Sequence, residues 1–361
     1  MSVVDLFTPA LPHERFHPAF ATLLADAKEN DKNVLADWAE GFIDRDNKFV
    51  KEFQTTFDSS FWELYLHAAF KELGMKCDFQ WDRPDFCISS PIPFIVEATV
   101  ALHAQGTASV AETDPLEMPK DFNEFNRQAI IRLSNSIDTK HKRYCGAYST
   151  LSHVSGKPFV LAISAFDRPH FYLQAQRAIE AVLYRAYVDE DTYLKKHPTR
   201  DVPLKPEDLP FVAKDSGEKL PLGLFCDASM AGISAVIHST AATWSKVLAM
   251  GSDPDVMIEA IYEDRVQGGQ NVYIGPNERY TESILDGLRV YHNPHAINPL
   301  DPSLFDRPEI FQATSTGPVK LEMLSRGRHI LVNRKATRFP VGTMKMVLDE
   351  MPPDKGFWHH V

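Results

Sequence analysis

The chain has 361 residues, 44 % of them hydrophobic and 24 % charged, which is ordinary globular composition with ample material for a core. The formal net charge of -11 counts against a general nucleic-acid coat protein, which would usually be basic. No apolar run reaches the ~18 residues that span a bilayer, so a membrane protein is not expected.

The four cysteines, Cys77, Cys87, Cys145 and Cys226, form no C-x-x-C pair, which argues against a zinc site or a disulfide framework. The first residues show no basic region followed by an apolar core, so a secretory signal is not expected. A reduced, cytoplasmic protein is the expectation. The charge is uneven: Arg326, Arg328, Arg334, Lys335, Arg338 and Lys345 gather near the C-terminus. Such a local basic patch could carry phosphate contacts inside an acidic whole.

In chain order, residues 1–48 predict an N-terminal helical extension, with helices over 19–27 and 34–43. Ser60-Phe61-Trp62-Glu63 fits a capping box opening a helix over 61–73, which Gly74 ends. Residues 75–81, 84–89 and 93–101 predict strands, the last one buried. Residues 105–119 are polar and predict a surface loop. Apolar residues Phe125, Ile130, Ile131, Leu133 and Ile137 predict a helix over 122–144. A central strand over 158–165 and a second long helix over 171–187 follow. Residues 189–221, rich in Pro, Lys and Asp, predict an insertion or linker. Beyond it, 222–226, 233–238, 255–262, 287–291, 310–312, 319–323 and 330–332 predict short strands of a C-terminal α+β region, 222–361. That leaves 49–188 as the core domain.

The chemistry concentrates in Arg83-Pro84-Asp85-Phe86-Cys87-Ile88 and Phe94-Ile95-Val96-Glu97-Ala98-Thr99, joined by the Pro-rich turn 89–93. A carboxylate among apolar strand residues is costly to bury unless it is paired or binds a metal. If the two strands form a hairpin, Asp85 and Glu97 come together. Their repulsion would be relieved by a divalent cation, in the geometry of a Mg²⁺ site that cuts phosphodiesters.

The order helix (Glu63), strand, strand (Asp85), strand (Glu97), helix (Lys140), strand (Val160), with Pro84-Asp85 and Glu97-Ala98-Thr99, resembles the PD-(D/E)XK nuclease superfamily over residues 50–187. The resemblance implies an α/β fold with a restriction-endonuclease-like core, a mixed central sheet flanked by helices. It implies that Asp85 and Glu97 ligate Mg²⁺, or Mn²⁺ as a substitute, with the Ala98 carbonyl completing the site. The motif lysine is missing, because position 99 is Thr. Some members of the superfamily supply that lysine from the following helix, which here offers Lys140, or Lys142 as second choice. The resemblance therefore implies a Mg²⁺-dependent DNA endonuclease, in restriction, repair or phage defence, and a possible homodimer. Glu63 and Thr99 would support the site, and Lys142, Arg143, Arg334 and Lys335 would contact nucleic acid.

Plainer readings stand beside these. Glu63 could serve only the capping box, and Asp85 could be a turn residue accepting backbone N–H groups. Thr99 could be ordinary β-branched packing, and residues 140–143 a solvated helix end. His292-Asn293-Pro294-His295 reads as turn chemistry, and Gly268-Gly269 and Gly275-Pro276 as turns. His359-His360 reads as an exposed tail. As a whole, the chain could instead be a catalytically degenerate nuclease fold used as a binding or assembly module. A two-carboxylate glycosidase would need a cleft lined with aromatics, and Trp62, Trp81 and Trp244 do not cluster in sequence.

Overall fold

A computed structural model describes residues 4–45, 47–101, 118–166, 170–199, 204–350 and 357–360. In chain order the elements are α1 (Pro18–Asp26), α2 (Glu29–Ala39), α3 (Phe49–Thr55), α4 (Phe57–Glu72), β1 (Lys76–Asp78), β2 (Phe86–Ser90), β3 (Phe94–Val100), α5 (Phe122–Arg143), β4 (Phe159–Ser164), α6 (Arg177–Tyr184), β5 (Ala186–Tyr187) and α7 (Glu190–Lys196). There follow β6 (Glu207–Asp208), β7 (Phe211–Ala213), β8 (Lys219–Pro221), β9 (Ala235–His238), α8 (Trp244–Met250), β10 (Val256–Asp264), β11 (Gln270–Pro276), β12 (Arg289–His292), β13 (Phe311–Gly317), β14 (Lys320–Met323), β15 (His329–Arg338), α9 (Thr343–Glu350) and β16 (Trp358–His360).

A mixed eight-stranded sheet in the order β1-β2-β3-β4-β9-β12-β13-β14 organises these elements. β1, β2 and β3 are antiparallel neighbours, whereas β3, β4 and β9 run parallel. Parallel strands are buried on both faces and read as continuous apolar runs. β4, Phe-Val-Leu-Ala-Ile-Ser, is buried along its whole length. Strands from residues 1–188 and from 222–361 share this sheet, since β9 pairs with β4. A second sheet, β15-β10-β11-β16, is antiparallel.

The two faces of the large sheet are covered differently. Val96 and Ala98 of β3 pack with Phe61, Trp62, Tyr65 and Phe70 of α4. Ile95, Leu161 and Ile163 pack with Ile130, Leu133 and Ile137 of α5 and with α6. α4 buries residues nearly all round, because α2 lies on its other side. Trp62 Nε1 donates to the Ala162 carbonyl at 3.2 Å, and Tyr65 Oη to the Ile284 carbonyl at 3.0 Å.

Several expectations are corrected. The helix bearing Glu63 begins at Phe57, so Ser60 lies inside it and no capping box forms there. The long helix expected over 171–187 is a 3-10 turn, Phe171–Gln174, and the shorter α6. Ala175, at a φ of 49°, interrupts it, and Arg185, at 62°, ends it. Residues 222–226 are not a strand. The N–H groups of Gly223 and Leu224 donate to the Val182 carbonyl and that of Phe225 to Leu183, which satisfies the last carbonyls of α6. Gly275-Pro276 is the end of β11, not a turn, and His359 and His360 belong to an edge strand. The loop expected at 105–119 lies outside the described residues for all but its last two positions.

Candidate active site

Register brings the two carboxylates together. Phe86 pairs with Val96, so Asp85, one step before β2, falls opposite Glu97. Asp85 Oδ2 accepts the Ala98 N–H at 2.7 Å, which fixes that carboxyl at the end of the hairpin. Glu97 is buried in mid-strand, and Thr99 projects from the same face two residues on.

The counter-charge comes from α5. Ile130, Leu133 and Ile137 form the stripe that meets the sheet, and Lys140 continues it by one turn. Its Nζ lies 2.7 Å from Glu97 Oε1. Arg143, three residues further, reaches the same oxygen at 3.6 Å and stands over the Tyr148 ring. Tyr148 Oη donates to Glu97 Oε1 at 3.5 Å, carried there by a π-turn that extends α5. Lys142 points elsewhere and pairs with Asp138 at 2.6 Å.

Glu63 enters from the other face of β3, on α4. It lines a cleft of about 440 Å³ together with Asp85, Asp82, Arg45, Lys48 and Glu52. Burial pushes the Glu63 carboxyl up to about 8, and the negative charges of Asp85 and Glu52 add to the rise. Burial likewise raises Asp85 to about 6, with the Glu97 carboxylate adding and the Ala98 N–H opposing. Arg45 bridges the rim: its guanidinium donates to the carbonyls of Trp81 and Asp85. Three acidic groups thus crowd one end of the hairpin, with Lys140 and Arg143 on one side and Arg45 and Lys48 on the other.

Arg45, Tyr148 and Glu52 escape sequence reasoning. Arg45 stands in an irregular segment between helices, and the π-turn that brings Tyr148 inward leaves no periodic signal. Arg334, expected to contact nucleic acid, is corrected: its side chain is fully buried. Its Nε and Nη2 donate to Glu282 at 2.8 and 3.0 Å, and Nη2 also donates to the Ala241 carbonyl. Lys246 pairs with the same Glu282 at 2.6 Å, so both cations serve an interior ion cluster. Lys335, on the opposite face of β15, is exposed. His292 is buried, with Nε2 3.0 Å from Gln312 Oε1, and Asn293 ties down the carbonyls of Met230 and Ile233. Trp62 is buried while Trp81 stacks on His153 at the surface, so these two do not line one cleft.

Among the described residues no three His, Cys, Asp or Glu side chains form a group that could hold a metal ion. The donors at the hairpin are nevertheless hard carboxylate oxygens. Mg²⁺ is commonly held by one or two carboxylates while keeping several of its waters. Asp85 and Glu97 fit that requirement. No family model, curated protein or solved structure matches this chain.

Proposed function

We propose that the chain is a Mg²⁺-dependent phosphodiesterase acting on DNA, an endonuclease of the PD-(D/E)XK type whose lysine has moved to α5. The observation that carries this reading is Lys140 Nζ at 2.7 Å from Glu97, beside Asp85 at the mouth of the same hairpin. Helix, three antiparallel strands, helix and parallel strand follow one another in the order such a core requires. Asp85 and Glu97 would hold the metal, with the Ala98 carbonyl as third donor. A bound Mg²⁺ would supply Lewis acidity at the phosphoryl oxygen and acidify its water. Lys140 carries three N–H donors on a positive charge; it orients the attacking water and stabilises negative charge growing on the phosphate. Thr99 offers a hydroxyl on the same face, and Glu63 takes up a proton at the cleft. Lys142, Arg143 and Lys335 offer exposed cations to the backbone, so affinity falls as salt rises.

A second reading, a non-catalytic assembly module, is favoured by one fact: Glu97 is already neutralised by Lys140 without any metal. Calorimetry with MgCl₂ and MnCl₂ separates the two. Saturable binding lost in Asp85→Asn and Glu97→Gln supports the enzyme. Absence of metal binding, or binding indifferent to both substitutions, supports the module.

A further inference from the structure

A second cavity, of about 560 Å³, opens on the antiparallel sheet, remote in sequence from Asp85 and Glu97. Its walls include Tyr262 of β10 and Trp358 of β16, ring centroids 5.7 Å apart and planes inclined at 52°. Tyr273 braces Trp358 from behind at 5.2 Å, yet Trp358 remains 52 % exposed. Two inclined rings with one open face form part of an aromatic box.

The polar groups around that box are acidic. Asp286 lines it and is only 8 % exposed. Its Oδ2 accepts the Ser283 N–H at 2.8 Å, and among the described residues its Oδ1 takes no hydrogen bond. Burial pushes this carboxyl up to about 6, with the Lys246 charge and the Ser283 N–H opposing the rise. Asp264 also lines the cavity. The N–H groups of Gln267 and Val266 hold it down at about 2, so it is ionised at neutral pH. Asn271 bridges Asp264 and His329, donating toward each at 3.1 Å. Among the described residues, no Lys or Arg lines the cavity. The nearby Lys246 and Arg334 are fully buried and bound to Glu282.

Aromatic faces attract cations through the ring quadrupole, and a desolvated carboxylate adds Coulombic attraction. Among the described residues the cavity wall carries two carboxylates and no Lys or Arg, so its charge favours a cation over an anion. We infer that this cavity binds an organic cation, an ammonium or guanidinium group, seated against Trp358 and Tyr262 and facing Asp286 and Asp264. The cation can be borne by a peptide side chain or by a free polyamine, and the site is independent of the nuclease reading.

Calorimetry with two probes, N-acetylarginine methylamide and spermidine, tests the inference and separates the sources. The neutral citrulline counterpart of the first probe serves as control. Saturable binding of either cation and none of the citrulline compound is expected. Asp286→Asn and Trp358→Leu should each weaken binding by ~5-fold or more, the scale of one cation–π contact. Trp358→Leu keeps an apolar side chain on the edge strand, and urea midpoints verify that both variants fold. Failure of both probes to bind at millimolar concentration, equal binding of the citrulline compound, or affinities unchanged in both folded variants would overturn it.

Discussion

Replacing Glu63 by Gln should make the metal-free protein more stable in alkali while leaving it nearly unchanged in acid. The carboxyl is pushed from 4.5 to about 8 by burial and by Asp85. A raised acid stabilises the fold in its protonated form. That contribution is complete below the unfolded value and is lost as pH rises through the folded one. At 1.36 kcal/mol per pH unit the ceiling is about 5 kcal/mol. Coupling to Asp85 and the open side of the cleft reduce this to about 1–3 kcal/mol of advantage for Glu63→Gln at pH 9. Urea unfolding in EDTA at pH 5, 7 and 9 measures it. The two midpoints should nearly coincide at pH 5, separate progressively between about pH 5 and 8, and stay apart at pH 9. Parallel curves across the range would refute the placement of Glu63 in a crowded acidic site.

Asp85→Asn should show the same sign over a lower window, gaining stability between about pH 4 and 6, because burial and Glu97 raise that carboxyl to about 6; proton release on unfolding of wild type in that window, reduced in the variant and measured by calorimetry in two buffers, checks it. Lys140→Met strands a carboxylate that is 4 % exposed. Breaking a buried pair costs about 3–5 kcal/mol, and Arg143 and Tyr148 remain near, so a loss of about 1–3 kcal/mol in urea is expected. Arg334→Met should cost about 3–5 kcal/mol by leaving Glu282 and Lys246 imperfectly paired, whereas Lys335→Ala should change the urea midpoint by less than about 0.5 kcal/mol. Gly275→Ala should loosen the β11–β16 edge, because the added Cβ would meet the Phe357 ring at 2.5 Å. Faster amide exchange at Tyr273 and Trp358 is the readout.

The candidate site was legible where one strand period and one helix stripe decide it. The hairpin of two apolar runs places Asp85 opposite Glu97, and the i, i+3, i+4 stripe of α5 aims Lys140 at the sheet. The eight-stranded sheet was less so. β9, β12, β13 and β14 are short, and sequence distance does not show that β9 pairs with β4. β11, with Gly275 and Pro276 at its end, looks like a turn because its partners lie on either side in space. Arg334 was misjudged because charge clustered along the chain says nothing about alternation. On a strand, neighbours 334 and 335 face opposite ways, one into the Glu282 cluster and one to water. Residues 222–226 have strand-like composition, but their N–H groups are taken by the end of α6.

Cleavage of single-stranded, linear and supercoiled DNA, with Mg²⁺ or Mn²⁺ and with EDTA, tests the central claim most directly. Wild type should cut at least one of these substrates only when metal is present. Asp85→Asn, Glu97→Gln and Lys140→Met, each verified as folded, should not. No cutting by wild type under any of these conditions, or cutting undiminished in the three variants, would contradict the account.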